Sequence, residues 1–334
     1  MSEARPRKRP RSDEDGDPGQ DGEAQATAHD EEFWFDDGNI ILIAGDVEFR
    51  VYKGLLADHS PVFKDMFSLP QPPTSEGELA ASCPIVHLSD SPEEVRCLLR
   101  VCMPKSHTNP YAHEDPTYES IASAIRLGHK YQIAPLVDHA VGYLKEYYTD
   151  DYAQWKSHKM LPPPRFELVH AIGVINLARL VGCETLLPTA IIHCCQLGGD
   201  VVHGLPLADG TTEHLSPDDL DMCVHAGLLL ARECVGAALR VRSPAISTFC
   251  QTPVQCARAI ADKLNDADVD LKQLVYPNPF YSYGYLFVGM SGLICGECFV
   301  MLCHRDVEGR KALWGRLPAI LDLPIAGWPG AANS

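Results

Sequence analysis

The chain has 334 residues, with 28 Lys and Arg against 45 Asp and Glu, for a formal net charge of −17. Hydrophobic residues make up 46% and charged residues 22%, which excludes a wholly disordered chain, and the length suits two domains or one with a long annex. For the body of the chain the acidic balance excludes a general nucleic-acid or anionic-membrane binder, because the phosphate-neutralising contribution would be repulsive.

The charge is laid out unevenly. Residues 1–11 carry five bases, Arg5, Arg7, Lys8, Arg9 and Arg11, against Glu3, for +4; residues 12–37 carry eleven acids and no Lys or Arg, for −11. The other 297 residues therefore hold only −10. Residues 1–32 offer almost nothing to bury and read as a disordered tail, basic and then acidic. The heptad from Arg5 to Arg11 has the composition of a nuclear import signal, or is simply a solvated terminus, so nucleus and cytoplasm both stay open; with the acidic segment as an interaction tail, a nuclear transcription-associated factor is an alternative reading. The chain opens on charges with no apolar signal segment, so its 13 Cys are expected reduced and outside any disulfide framework.

Folded sequence is expected from Phe33-Trp34-Phe35 onward. Ile40–Ala44 is an apolar run, Val47–Val51 alternates with period two, and Gly45-Asp46 between them predicts a two-residue hairpin turn. Gly54–Phe67 predicts two short helices broken at Ser60-Pro61, where Ser caps and Pro takes the first helical position. Pro84–Leu88 predicts a third strand, and Ser91-Pro92-Glu93-Glu94 opens a helix bearing Val95, Leu98, Leu99 and Cys102. Pro70–Pro73 and Pro104–Pro116 are loops. Ile121–Tyr131 and Ala134–Tyr147 are further helices, and residues 149–164, with Pro162-Pro163-Pro164, read as a linker. Beyond it the period is helical: Arg165–Gly182, Glu184–Leu197, and a long helix opened by Ser216-Pro217. That last helix carries Leu220, Val224, Leu228, Ala231, Val235 and Leu239 on one stripe, as a core face would. Gly284–Cys303 holds a single charge, Glu297, over a bilayer-spanning length, but its four glycines favour a buried segment over a membrane anchor.

Three stretches together resemble the BTB/POZ family. Phe49 to Phe67 follows its helix-start pattern, with Lys53, Leu56, Ser60 and Phe63 in register; Val86 to Leu99 follows its third strand and Ser-Pro-Glu helix; Leu127 to Leu144 follows its closing Lys-Tyr and Tyr-Leu helices. Tyr52 stands where the family usually has His, and Cys102-Met103-Pro104 replaces its Tyr-Thr-Gly. The match covers residues 33–148, and the carboxy-terminal pattern through Trp314, Leu323-Pro324 and Trp328 is similar to large fungal-type BTB families. The resemblance implies an α+β BTB/POZ fold, a small sheet with helices, followed by an all-α region over 165–328. It implies a protein interaction module, usually self-associating and sometimes a substrate adaptor for a cullin-type ubiquitin ligase. It also places Asp37 and Lys53 in a charged groove at a dimer interface.

Catalytic patterns fail in turn: the chain has no phosphate-binding Gly-rich loop ending in Lys-Ser or Lys-Thr, no His-Glu-x-x-His and no Gly-x-Gly-x-x-Gly. Gly289-Met290-Ser291-Gly292 falls one residue short of a nucleophile elbow. His59, His87, His129 and His139 read as packed or surface residues, so no enzyme is expected. For a metal, Cys295 and Cys298 have the two-residue spacing that lets two thiolates reach one tetrahedron, with Cys250 and Cys256 upstream and Cys303-His304 close behind. Burial of cysteine as a small hydrophobe is the competing reading, and it is the default for Cys194, Cys195 and Cys223. Phe33, Trp34 and Phe35 are the candidate aromatic anchors of an interface, unless they pack onto their own domain. Protein partners, a second copy of the chain among them, are the expectation; membrane is not.

Overall fold

The computed structural model describes residues 28–69, 83–103, 115–241, 243–265 and 276–329. Four strands form one mixed sheet. The strands β2 (Ile40–Ala44) and β3 (Val47–Val51) make the expected hairpin, and Gly45 takes the positive φ its tight turn needs. The short β4 (Ile85–Leu88) adds parallel to β2 at one edge. The other edge is β1 (Ala28–Trp34), parallel to β3, so ordered chain starts before the expected boundary at residue 33. Two arginines supply the reason. On α3 (Pro92–Cys102), Arg96 donates to the buried Asp30 at 2.6 Å and Arg100 clamps Glu32 at 2.6 Å. The other Asp30 oxygen accepts the N–H groups of Glu32 and Phe33. An acidic segment with little strand propensity is thus held by bidentate and charge-assisted contacts from a helix over 60 residues away.

The helices α1 (Lys53–His59) and α2 (Pro61–Ser68) break at Ser60 as expected. Ser60 accepts from the Phe63 amide, capping α2, and donates to the Tyr131 carbonyl at 2.6 Å. Tyr131 closes α4 (Tyr118–Lys130); its ring stacks on Phe63 at 4.4 Å, and its hydroxyl donates to Asp90, which also pairs with Lys130. The three stretches that carry the family pattern therefore meet at one buried junction. Ser91 caps α3 in a full capping box with Glu94, and Val95, Leu98, Leu99 and Cys102 are all buried.

The outer face of this unit is not free. Tyr118, Ile121 and Ile125 of α4 and Ala140, Val141 and Leu144 of α5 (Ala134–Tyr147) share one apolar core with the carboxy-terminal helices. The expected linker over 149–164 is tied to that core: α6 (Tyr152–Ser157) inserts the fully buried Trp155 into it, and Tyr152 packs against it. Next come α7 (His170–Val181), α8 (Leu187–Gln196) and α9 (Pro217–Val241). On α7, Gly173 faces α4, where a Cβ would collide with the Tyr118 hydroxyl, so the two helices touch only because it is glycine. A two-residue hairpin, β5 (Leu205–Pro206) with β6 (Thr212–Glu213), interrupts the expected all-helical region. Its Glu213 receives Arg126 at 2.6 Å, tying the hairpin to α4. The chain end seals the core: Trp314 donates to the Asp150 carbonyl and Trp328 to the Trp314 carbonyl.

The face of α9 is the opposite of the expected one. Val224, Leu228, Val235 and Leu239 are exposed, while Cys223, Ala226, Leu230, Cys234 and Ala237 are buried against α8 and the carboxy-terminal helices. Small residues on the inner stripe let the neighbouring helices approach closely, and packing favours that stripe over the more apolar one. Among the described residues α9 alone is long and apolar enough, by length and composition, to cross a membrane. A third core cluster joins the end of α9 to α10 (Pro253–Asn265), α11 (Gly284–Val288) and α12 (Gly296–Gly315). Gly284–Cys303 is accordingly not one helix: it breaks at a turn where Gly292 adopts φ +83. Phe287, Met290, Ile294, Cys298 and Leu302 of this segment are buried in that core, Cys295, Phe299, Met301 and Cys303 pack against it partly buried, and Val288 and Val300 are exposed. In the middle of α12, Asp306 and Arg310 form a buried ion pair at 2.6 Å, completed by the Ser282 and Tyr152 hydroxyls.

Candidate functional site

Two places carry the residues singled out in the sequence. The first is the β1 edge of the sheet. Phe33 is 1% exposed and belongs to the core of its own domain, so it is removed from the interface set: β1 pairs with β3 and turns this ring inward. Trp34 and Phe35 stay half-buried. The Trp34 ring stacks on His29 at 3.5 Å, and Phe35 tilts against Tyr52 at 5.0 Å. Asp37 is exposed and accepts the Tyr52 hydroxyl at 2.6 Å, so Tyr52 occupies the place of the family histidine with a partner of its own. That hydrogen bond raises the Tyr52 pKa.

Asp37 and Lys53 do not pair with each other. Lys53 donates from Nζ to the Phe67 carbonyl at 3.1 Å and lies over the Phe67 ring, where its charge meets the negative end of α2. Both groups of the expected groove are therefore engaged within one copy, and what the edge presents outward is a half-buried aromatic pair beside an acid. Arg5, Arg7, Lys8, Arg9 and Arg11 lie outside the described residues.

The second place is the thiol cluster. Cys250, Cys256, Cys295 and Cys298 come together with every Sγ within 4.8 Å of the other three. Cys256 sits in the first turn of α10 and Cys298 in the first turn of α12, with Cys295 as the residue that caps α12. Two helix amino-termini thus converge on four sulfurs. The amides of Ser247 and Cys295 donate to the Cys298 and Cys256 sulfurs at 3.4 and 3.2 Å. The Cys298 amide, and after it that of Gln251, lowers Cys295 to about 6, while removal from water pushes Cys250 up to about 12. Cys303 and His304 take no part. About 100° of helix rotation per residue carries Cys303 roughly 140° around α12 from Cys298, and His304 is exposed.

The remaining chemistry-bearing residues are dispersed. His59, His87, His129 and His139 are all exposed. Cys194, Cys195 and Cys223 pack between α8 and α9, with the Cys195 thiol donating to the Cys223 carbonyl. Sequence reasoning missed His193, a buried imidazole held between Trp155 and Tyr148 with Nε2 on the Met160 carbonyl; burial lowers it to about 4. It also missed a cleft of about 430 Å³ beside Cys234, Asn278 and Tyr283, whose described lining holds no carboxylate and no imidazole.

A protein-family model described as BTB/POZ domain matches residues 33–148. A search of curated proteins finds no match.

Proposed function

Because residues 33–148 are a BTB/POZ domain, a protein–protein interaction module, we propose that this chain works without catalysis and self-associates through that domain. The supporting observation is the β1 edge. Trp34 and Phe35 keep part of their surface in water at the end of β1, an edge strand of the sheet. Aromatics of this kind anchor interfaces. Co-purification of two differently tagged full-length copies tests the reading: recovery of both tags in one complex supports it, and single-tag recovery rejects it.

A second reading is an adaptor that carries a substrate to a cullin. The continuous core from α4 and α5 into α6–α8 favours it, since the helices after the BTB domain are rigidly joined to it and extend its surface. A recombinant cullin that fails to bind the full chain rejects this reading and leaves self-association standing. The basic heptad supports a nuclear version of either role. Changing Arg7, Lys8 and Arg9 to Ala should then move a fluorescent fusion out of the nucleus, and an unchanged distribution removes that proposal.

A further inference from the structure

The four-thiol cluster lies far along the chain from the β1 edge, and interaction through that edge makes no use of it. Tetrahedral zinc bound by four thiolates at about 2.3 Å places neighbouring sulfurs about 3.8 Å apart. Here the Cys250 and Cys295 sulfurs are 3.7 Å apart and no pair in the set exceeds 4.8 Å. Bridged iron–sulfur clusters spread their cysteines over several metal atoms and demand wider spacing, so the dimensions select a single ion. The ligand order is Cys-x5-Cys followed by Cys-x2-Cys, each pair spanning the start of one helix.

We infer that Cys250, Cys256, Cys295 and Cys298 bind one structural Zn²⁺. Four thiolates fill the tetrahedron, so no position is left for water or substrate and the ion serves architecture. On binding, each thiol gives its proton to solvent and the ion takes the sulfur lone pairs. The amides of Ser247 and Cys295 already donate to two of the sulfurs, as the outer shell of a thiolate site does. The Thr252 hydroxyl lies 3.1 Å from the Cys256 sulfur. The ion would pin the start of α10 to the start of α12. Cys256 and Cys298 are themselves members of the third core cluster, so the metal and that small core hold the same elements together. With Cys250 and Cys295 only partly buried, a chelator or an organomercurial has a route to the site.

The test is elemental analysis of the full-length protein, purified under reducing conditions without chelator. About one zinc per chain is expected, released in step with modification of four thiols by an organomercurial. Cys295→Ser and Cys298→Ser should each lose the metal, whereas Cys303→Ser and His304→Ala should keep it. A ligand variant can misfold, so the native chain is also exchanged with Co²⁺. Intense visible d–d bands with thiolate charge transfer mark a tetrahedral all-sulfur site and support the inference. Zinc far below one per chain, a Cys250–Cys295 disulfide in the native protein, octahedral cobalt bands, or loss of metal in Cys303→Ser overturns it.

Discussion

Replacing Ser60 by Ala removes two buried interactions at once. The Ser60 side chain is fully buried, accepts the Phe63 amide to cap α2, and donates to the Tyr131 carbonyl 71 positions away. Loss of a cap costs about 1 kcal/mol, and a buried carbonyl left without its donor costs about 1–3 kcal/mol. The sum, about 2–4 kcal/mol, corresponds to a roughly thirtyfold to several-hundredfold rise in the local opening equilibrium. Ser91 is the internal control. It is also a capping Ser followed by Pro, but its capping box with Glu94 is exposed, so Ser91→Ala should cost only about 0.5–1 kcal/mol. Hydrogen exchange read by mass spectrometry on peptides from residues 53–68 and 92–102 measures both without assuming that the whole chain unfolds in one step. Equal effects at the two serines, or no acceleration in Ser60→Ala, would refute the idea that the family pattern converges on one buried junction.

Three further outcomes follow from burial and charge. Leu230→Ala should destabilise by about 2–5 kcal/mol and Leu228→Ala by less than about 0.5 kcal/mol, because Leu230 is 0% exposed and Leu228 is 71% exposed; thermal unfolding of the two proteins compares them. Gly173→Ala should loosen the contact between α4 and α7, whereas Gly227→Ala, in open space on α9, should stabilise by about 0.5–1 kcal/mol, both read by the same melts. His193 is held neutral down to about 4, below the ordinary 6.5, so unfolding takes up a proton between those values. Its contribution is present above about pH 6.5 and is lost as pH falls, at about 1.4 kcal/mol per pH unit until about pH 4. Urea titrations across that range should show a shallower pH dependence in His193→Gln, and an unchanged slope would contradict the assignment.

Much of the amino-terminal fold is legible in the sequence because its signals are local. The Gly45 turn, the Ser60 and Ser91 caps and the apolar spacing of α3 each lie within a few residues of the element they define. The acidic strand β1 is not legible, since what holds Asp30 and Glu32 in place is Arg96 and Arg100 on a later helix. The period of α9 is plain, yet it has two apolar stripes, and the choice between Leu228 and Leu230 depends on neighbours that local spacing does not name. The prolines at 162–164 mark a real corner, but Trp155 before them is anchored in a core built from both halves of the chain. Of the candidate interface residues, Phe33 is misjudged because its side of β1 depends on pairing with β3, while Trp34 and Phe35 keep exposed surface. The cysteine spacings single out the four members of the thiol cluster; that their sulfurs meet, and that Cys303 and His304 stay apart from them, is tertiary information.

The most direct test of self-association through β1 is sedimentation velocity of the full chain over a concentration series, beside the Trp34→Ala/Phe35→Ala double variant. The wild type should sediment as a dimer, and the double variant should dissociate at about tenfold to a hundredfold higher concentration while keeping its fold by circular dichroism. A wild-type monomer throughout the series, or a double variant that dimerises as tightly as the wild type, would contradict an interface at the β1 edge.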